Sequence, residues 1–184
     1  MIVIGFDVSS TCVGYGVLNI INNNITYIDS GYFLPLKSDS IIENLYDLKS
    51  NVNRLLLKYN PTHIGIEELI KFMKGSSSAD TTLILSAFNR TVGLTAYEYT
   101  LANNLDKPQF FSVLSIRSKL KFENRLEKKE MPEAVAKHLD MQFPYEYNKR
   151  KTLLVYNYDR ADGIAVALYY SFLLTNRFKI KKKK

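Results

Sequence analysis

Four acidic residues in this sequence stand at the ends of predicted strands or at the start of a predicted helix. Asp7 ends the apolar run IVIGFDV, and Glu67, with Glu68 beside it, ends the short run HIGIE. Asp159 and Asp162 lie three residues apart in YDRADGIAVALYY, a spacing that places both on one helix face. Functional groups in open α/β sheets collect beyond the carboxyl ends of the strands, so we expect these carboxylates to form one cluster.

The chemistry that such a cluster favours depends on divalent metal ions. Gathered carboxylates repel one another unless cations compensate their charge. Oxygen ligands without histidine or cysteine favour Mg²⁺ or Mn²⁺, and two such ions can clamp the attacking and leaving oxygens of a phosphodiester. Each acid also has a plainer interpretation. Asp7 can simply end a strand, Asp159 can be a helix N-cap with Asp162 favourable in the first turn, and Glu67 and Glu68 can be solvated.

The elements that must position these acids follow a mixed α/β pattern, with three strands first and helices between the later strands. We predict strands at 2–8, 13–21, 25–34, 63–67 and 110–114. We predict helices at 40–58, from the loop at 74–80 to about 104, over most of 115–140, and at 159–176. Residues 141–158 are predicted to be irregular. The predicted fold class is α/β, with a five-stranded mixed sheet flanked by helices.

The length and charge of the chain limit the classes of protein to consider. A chain of 184 residues fits one domain, which we place at 1–176, followed by a basic tail at 177–184. The net charge of +7 favours a polyanionic partner, nucleic acid before a membrane surface, although a basic solvated surface remains the alternative.

The rarity of cysteine and histidine and the absence of a long apolar run bear on location and metal chemistry. One cysteine suits a reducing cytoplasm, and two histidines with one cysteine argue against a structural zinc site. The sequence contains no apolar run of 18 residues, so no membrane span is expected. No basic region precedes the first apolar residues, so we expect no secretory signal.

Three segments of the sequence resemble the RuvC-type Holliday junction resolvases of the ribonuclease H-like superfamily. They are IGFDVSSTCVGYGVL, HIGIEELI and DRADGIAVAL, in the family's order and at similar separations. The resemblance implies a ribonuclease H-like fold, a homodimer, and cleavage of branched DNA, especially four-way junctions. It also implies that two Mg²⁺ ions, which Mn²⁺ can replace, bind to Asp7, Glu67, Asp159 and Asp162. The basic, AT-rich character is more similar to the phage-encoded branch than to the bacterial cellular one.

The resemblance also implies lysines near the scissile phosphate, after the fifth strand and at the start of the next helix. The segments SIRSKLKF and EKKEM contain several basic residues, of which we favour Lys119 and Lys128. A solvated basic face is the alternative. Further candidates for DNA contact share a basic, aromatic or small polar character. They are Ser9, Ser10, Lys71, Phe72, Lys74, Lys121, Lys129, Lys149, Arg150 and Lys151.

Two segments of the sequence, the small residues after Asp7 and the stretch around Phe72, have specific predicted roles. The small residues after Asp7, including Gly14 and Gly16, are predicted to let a nucleic-acid backbone approach the metals, because glycine has no Cβ. Ser9 and Ser10 can donate to a phosphate or serve only as turn residues. Phe72, flanked by Lys71 and Lys74, is a candidate wedge that opens the crossover, or else packs in the core. Residues 141–158 look longer than expected for the family and combine tyrosines with basic residues.

Other functions share parts of this pattern. The stretch FDVSSTCVGYG also looks like the phosphate loop of actin-like ATPases and sugar kinases, but those enzymes need a second such domain, and this chain is too short. A noncatalytic nucleic-acid-binding relative would be expected to lack one or more acids. A related nuclease acting on RNA–DNA hybrids or flaps would use the same fold and metals, so the acids do not discriminate between these substrates.

Overall fold

The computed structural model describes residues 1–69, 79–120 and 128–176. In chain order the strands are β1 (Ile2–Val8), β2 (Val13–Ile21), β3 (Asn24–Phe33), β4 (His63–Glu68) and β5 (Gln109–Ser112). The α-helices are α1 (Ile41–Tyr59), α2 (Ala79–Ala102), α3 (Val113–Lys119), α4 (Met131–Leu139) and α5 (Tyr156–Leu174), and a 3₁₀ helix spans Lys128–Glu130.

The five strands form one mixed sheet in the order β3-β2-β1-β4-β5, which confirms the predicted fold class. β1, β2 and β3 form an antiparallel meander, whereas β4 and β5 run parallel to β1. The carboxyl ends of β1, β4 and β5 therefore lie at one edge of the sheet, which we call the carboxyl edge.

Alternating side chains of β1 face two separate cores. Ile4 and Phe6 pack with α1 and α2 on one face, while Val3 packs with α4 and α5 on the other. This period-two alternation is what a strand buried on both faces requires. Asp7 follows the same alternation, and its side chain belongs to the α5 face at the carboxyl edge.

Most predicted boundaries differ from the structure by one or two residues, and two shifts matter for the site. Val113 and Leu114 were predicted to end the fifth strand but begin α3, because the Ser112 hydroxyl accepts a hydrogen bond from Ser115 N and caps a helix there. The last helix begins at Tyr156, three residues earlier than predicted. Asp159 therefore lies in the first turn of α5 and is not its N-cap.

Candidate active site

Asp7 and Glu67 stand on neighbouring parallel strands at the carboxyl edge. The β1–β4 register pairs Phe6 with Ile66, so the next position along each strand places Asp7 beside Glu67. Burial, followed by the charges of Glu67 and Asp162, raises the pKa of Asp7 well above its ordinary value. The predicted convergence of these acids is therefore visible in their mutual electrostatic effect.

The other two acids reach this edge because α5 packs unusually close to β2. A Cβ atom on Gly14 would lie 1.8 Å from the carbonyl oxygen of Asp159, and one on Gly16 would lie 2.4 Å from the Cα of Ile164. These glycines therefore face the helix. The hypothesis that they let a DNA backbone approach is wrong, because α5 itself fills the space above them. Their role is to bring Asp159 and Asp162 to the strand ends.

The acids share a buried and electrostatically unfavourable environment. Burial and the charge of Asp162 raise the pKa of Glu67 to about 7. Burial raises the pKa of Asp162 to about 6, against the lowering effect of nearby cations. A cluster whose carboxyl groups resist ionisation is one that a bound cation would stabilise.

Lys128 lies among these acids. Its Nζ is 2.5 Å from Asp159 Oδ1 and 3.9 Å from Asp162 Oδ2. Burial acts to lower the pKa of Lys128, but the hydrogen bond and charge of Asp159 and the charges of Asp162 and Asp7 raise it overall. The structure thus places this predicted lysine within the acidic cluster, where it compensates part of the negative charge.

Arg117 is a second cation at the site, and the sequence interpretation preferred Lys119 to it. The charge of Arg117 lowers the pKa values of Glu67 and Asp162. Residues two apart in a helix point about 200° away from each other, so Arg117 and Lys119 of α3 cannot face the same way. Lys119 is exposed, and its catalytic role stays a prediction.

Asn89 supports the site from α2 and was missed by the sequence interpretation. This buried side chain donates through Nδ2 to the backbone oxygen of Glu67 at 2.8 Å. The bond fixes the end of β4 where the carboxylate stands. The available signal was an asparagine next to Phe88, on the face of α2 that also carries Val92 and Ala96.

Ser9 serves as a turn residue between β1 and β2. Its hydroxyl donates to Cys12 O at 2.8 Å and accepts from Cys12 N at 3.0 Å and Thr11 N at 3.3 Å. The hydroxyl proton is therefore committed to the turn, so Ser9 does not donate to a phosphate in this arrangement. The prediction for Ser10, which is half-buried, stays open.

The donor chemistry of the cluster fits a hard divalent cation, because all its ligating atoms are carboxylate oxygens. Within the described residues, however, no group of three or more His, Cys, Asp and Glu side chains is arranged to hold a metal ion as it stands. The Lys128 ammonium group lies beside Asp159, so a metal ion bound by Asp159 would lie next to this lysine. Asp7, Glu67, Asp159 and Asp162 are the residues that would hold the metal.

The remaining predicted DNA contacts divide into two groups. Lys149, Arg150 and Lys151 are exposed at the tip of a hairpin formed by residues 146–154, which leads into α5. Lys129 is exposed beside Lys128. The others lie outside the described residues: Lys71, Phe72, Lys74, Lys121 and the tail at 177–184.

Comparison with known structures supports the fold. The chain is similar to the structure described as T. thermophilus RuvC in complex with Holliday junction substrate, with a TM-score of 0.71, 16% identity and 97% of each chain covered. It is also similar to the yeast mitochondrial Holliday junction resolvase Ydc2, with a TM-score of 0.69, 15% identity, and 96% and 80% of the two chains covered. Both likenesses establish the ribonuclease H-like architecture predicted from the sequence.

The sequence is also similar to curated bacterial proteins named crossover junction endodeoxyribonuclease RuvC. The Orientia tsutsugamushi (strain Boryong) protein is 33% identical over 84 residues, which cover 46% of this chain and 52% of that protein. The chain is thus aligned with about half the length of that relative. The Finegoldia magna protein is 27% identical over 94% of this chain and 93% of its own length.

The family assignment rests on the first three quarters of the chain. The matched segment contains Asp7 and Glu67 and ends before the hairpin that leads to Asp159 and Asp162. A family model described as crossover junction endodeoxyribonuclease RuvC matches residues 3–142, and the chain belongs to this family.

Proposed function

We propose that this protein is a structure-selective DNA endonuclease that resolves Holliday junctions by metal-dependent phosphodiester hydrolysis. The observation that carries the proposal is the convergence of Asp7, Glu67 and Asp162, whose pKa values are raised first by burial and then by the charges of neighbouring carboxylates. Family membership supports the choice of reaction and substrate. The basic net charge of +7 supports a nucleic-acid partner.

The four acids are proposed as ligands for two Mg²⁺ ions, which Mn²⁺ can replace. Bound there, such ions supply a nucleophile at neutral pH and stabilise charge on the leaving oxygen. Asp7 and Glu67 hold their places through strand register, and Asp159 and Asp162 hold theirs through the first two turns of α5. Lys128 and Arg117 supply positive charge beside the position of the scissile phosphate.

The protein is further proposed to act as a homodimer. Resolution needs two cuts in opposed strands, and we find one acidic cluster of this kind among the described residues. Helix α2 is the proposed interface, because Leu83, Leu94 and Leu101 are 67%, 57% and 59% exposed. Their separations of 11 and 7 residues place them on one stripe of the helix. Sedimentation showing a monomer both in solution and on junction DNA would exclude this arrangement.

Several DNA contacts stay proposals of the same kind. Lys119, Lys129 and Ser10 are candidates for phosphate contact near the cut. Lys71, Phe72 and Lys74, outside the described residues, are candidates for opening the crossover. If Phe72 is a wedge, Phe72→Ala should slow junction cleavage and leave the melting temperature unchanged. A lower melting temperature with all activities reduced together would place it in the core instead.

The biological setting is inferred from composition. The AT-rich character suggested by the sequence supports a phage-type member acting in the host cytoplasm. The two sequence relatives named above are bacterial. The single cysteine is consistent with a reducing compartment. No helix in the described parts of the chain is long and apolar enough to cross a membrane.

A substrate comparison tests the proposed function. The purified protein is incubated in Mg²⁺ with a four-way junction, a flap, an RNA–DNA hybrid and a linear duplex of matched sequence. We expect paired nicks in the junction, with 5′-phosphate and 3′-hydroxyl ends that ligate, and slow or no cleavage of the linear duplex. Preferred cleavage of the hybrid or the flap would replace resolution with the related nuclease activity. No cleavage of any substrate would contradict both.

A further inference from the structure

We propose that the hairpin at residues 146–154 is a fixed phosphate-binding element, which grips the backbone of a double-stranded DNA arm beside the active site. The inference rests on the proposed function for the identity of the nucleic acid. The charge at the hairpin tip and the hydrogen bonds at its base carry it independently. The family-model match ends at residue 142, before this hairpin begins.

The tip of the hairpin concentrates positive charge in a defined conformation. Lys149, Arg150 and Lys151 are consecutive and exposed. The Asn148 side chain closes the turn, because its Oδ1 accepts from Arg150 N at 2.8 Å and from Thr152 N at 3.0 Å. Three adjacent cations repel one another, so a turn that holds them together favours an anionic ligand.

Backbone hydrogen bonds also hold the hairpin in a defined conformation below its tip. Asn148 N donates to Thr152 O at 2.9 Å, and Lys151 N donates to Asn148 O at 2.9 Å. Lys151 has a φ of 58°, in the left-handed region where asparagine is the best-tolerated side chain after glycine. A bridge joins Tyr147 to Leu153. The tip is therefore a closed turn on a two-stranded stem.

The base of the hairpin is bonded to the first turn of α5. Asn157 is fully buried, and its Nδ2 donates to Glu146 O at 2.8 Å and Leu154 O at 2.7 Å, while its Oδ1 accepts from Glu146 N at 2.9 Å. One side chain thus holds both strands of the hairpin. Asn157 precedes Asp159 by two residues, so the stem and this acid share one anchor.

A buried arginine makes the second anchor. Arg160 donates to Pro144 O at 2.7 Å, to Glu146 Oε1 at 3.0 Å and to Ser30 Oγ of β3 at 2.7 Å. The Glu146 carboxylate, the acid nearest the tip along the chain, is therefore paired with a cation. Among the described residues, no ion pair involves Lys149, Arg150 or Lys151. Their charges remain available to an external anion.

The length of the hairpin limits where along a duplex arm it can act. Four residues separate Glu146 at the base from Arg150 at the tip, so the reach is at most about 13 Å at about 3.3 Å per residue. The rise along one DNA strand is about 3.4 Å per nucleotide, so the tip meets phosphates within about four nucleotides of the acids. Because the anchors adjoin Asp159, the contacted phosphates should keep a constant offset from the cut.

Salt dependence of binding tests the charge. The triple variant Lys149→Gln, Arg150→Gln, Lys151→Asn removes three charges and retains a residue that tolerates the left-handed backbone at 151. We expect the slope of log affinity against log salt, measured on junction and duplex DNA in EDTA, to become shallower by about 2.7, or about 0.9 per phosphate contact. Equal slopes for the variant and the wild type would overturn the proposal.

A matched control separates position from net charge. The variant Arg54→Gln, Lys107→Gln, Lys137→Gln also removes three exposed charges, on α1, before β5 and on α4. It should keep the wild-type slope. If its slope changes as much as that of the hairpin variant, general charge and not the hairpin carries binding, and the proposal fails. Melting temperatures of both variants within a few degrees of wild type verify that they fold.

Two further measurements test whether the hairpin is fixed. Asn148→Ala keeps every charge but removes the acceptor that closes the turn, so affinity should fall while the salt slope stays unchanged. Single neutral methylphosphonates placed along each strand should weaken wild-type binding at one or two positions within about four nucleotides of the cut. The hairpin triple variant should be insensitive at those positions. Uniform small losses along the strand would overturn the fixed contact.

The outcomes distinguish this inference from the proposed function. All binding measurements are made without divalent metal, so they do not depend on catalysis. If the wild type resolves junctions but the hairpin variant keeps the wild-type salt slope, only the hairpin proposal is contradicted. If the hairpin variant shows the shallower slope but the wild type cleaves no branched DNA, only the proposed activity is contradicted.

Discussion

Two polar clusters on this sheet differ in how their carboxylates are satisfied. On the α1 side, Asp29 accepts hydrogen bonds from Tyr59 OH, Lys58 Nζ and Ser30 N, so donors reach both of its oxygens. At the carboxyl edge, Asp7, Glu67, Asp159 and Asp162 share Lys128 and the nearby Arg117.

The difference separates a structural polar group from a functional one. In the Asp29 cluster the donor is stabilised in its neutral form, since burial and the hydrogen bond to Asp29 raise the pKa of Tyr59 to about 12. In the acidic cluster the acids themselves are stabilised in their neutral forms, since their pKa values rise. Acids with strongly perturbed pKa values, gathered in one place, are characteristic of functional sites.

Replacing one aspartate in each cluster should give the largest difference, because one replacement should largely abolish cleavage and the other should lower stability. Asp162→Asn keeps the shape of the side chain but removes a metal-ligating charge, so junction cleavage in Mg²⁺ should fall by about a hundredfold or more. Junction binding in EDTA should stay equal or tighten, because a repulsive charge is lost. The matched Asp29→Asn should lower the melting temperature and leave cleavage near wild type. Wild-type cleavage by Asp162→Asn would show that the assignment is wrong.

The next effect concerns the cations. Lys128→Gln removes the ammonium group 2.5 Å from Asp159, and we expect cleavage to fall by about 10²-fold, the usual result of losing one group that stabilises charge in the transition state. Lys58→Gln, next to Asp29, is the control and should change the cleavage rate less than twofold. Single-turnover rates on a saturating junction separate these effects from binding. Equal losses in the two variants would remove any special role for Lys128.

The close approach of α5 is tested with two glycines of the sheet. A Cβ on Gly14 would lie 1.8 Å from Asp159 O, so Gly14→Ala must push the helix and its acids away from the strand ends. We expect a loss of stability of at least about 1–3 kcal/mol together with loss of cleavage. The nearest atoms to a Cβ on Gly65 would all belong to side chains, those of Phe111 and Val166 at 3.2 Å and that of Tyr170 at 3.5 Å. Gly65→Ala should therefore be milder in its effects on both stability and cleavage. Thermal unfolding and cleavage of both variants provide the comparison.

The smallest expected effect is a pH dependence of stability. The pKa of Glu67 rises from 4.5 to about 7 on folding, so the folded state binds the proton more tightly than the unfolded state. The free energy of unfolding without metal should therefore fall as the pH rises from about 4.5 to 7. Each kcal/mol lost should lower the melting temperature by about 2–4 °C for a domain of this size. Mg²⁺ should raise the melting temperature more at pH 8 than at pH 5.

Glu67→Gln provides the control for this pH effect, because it should reduce the fall in melting temperature between pH 5 and pH 8. Asp7 and Asp162, whose pKa values are also raised, should account for the fall that remains. The Asp29→Asn variant should keep the wild-type pH dependence. A metal-induced rise in melting temperature that is equal at pH 5 and pH 8 would contradict the view that the carboxylates must ionise to bind the ion.

Much of the fold and the acidic set could be predicted because their signals are local. Strand alternation, helical periodicity and acids at strand ends are visible in a few consecutive residues. The end of β5 could not be placed in this way, because Val113 and Leu114 suit a strand equally well until Ser112 caps a helix. The basic segment after β5 was equally ambiguous, and only the orientation of α3 separates Arg117 from Lys119.

The sequence by itself determined which side chains are available for chemistry: four acids, at the ends of strands or at the start of a helix that must meet at one edge. Only the tertiary structure decided how closely they meet. The glycines that looked like a path for DNA are contacts for α5, and the irregular segment before α5 is an anchored basic hairpin. The physical reason is that packing distances and hydrogen bonds join residues far apart in the chain, such as Gly14 with Asp159 and Ser30 with Arg160.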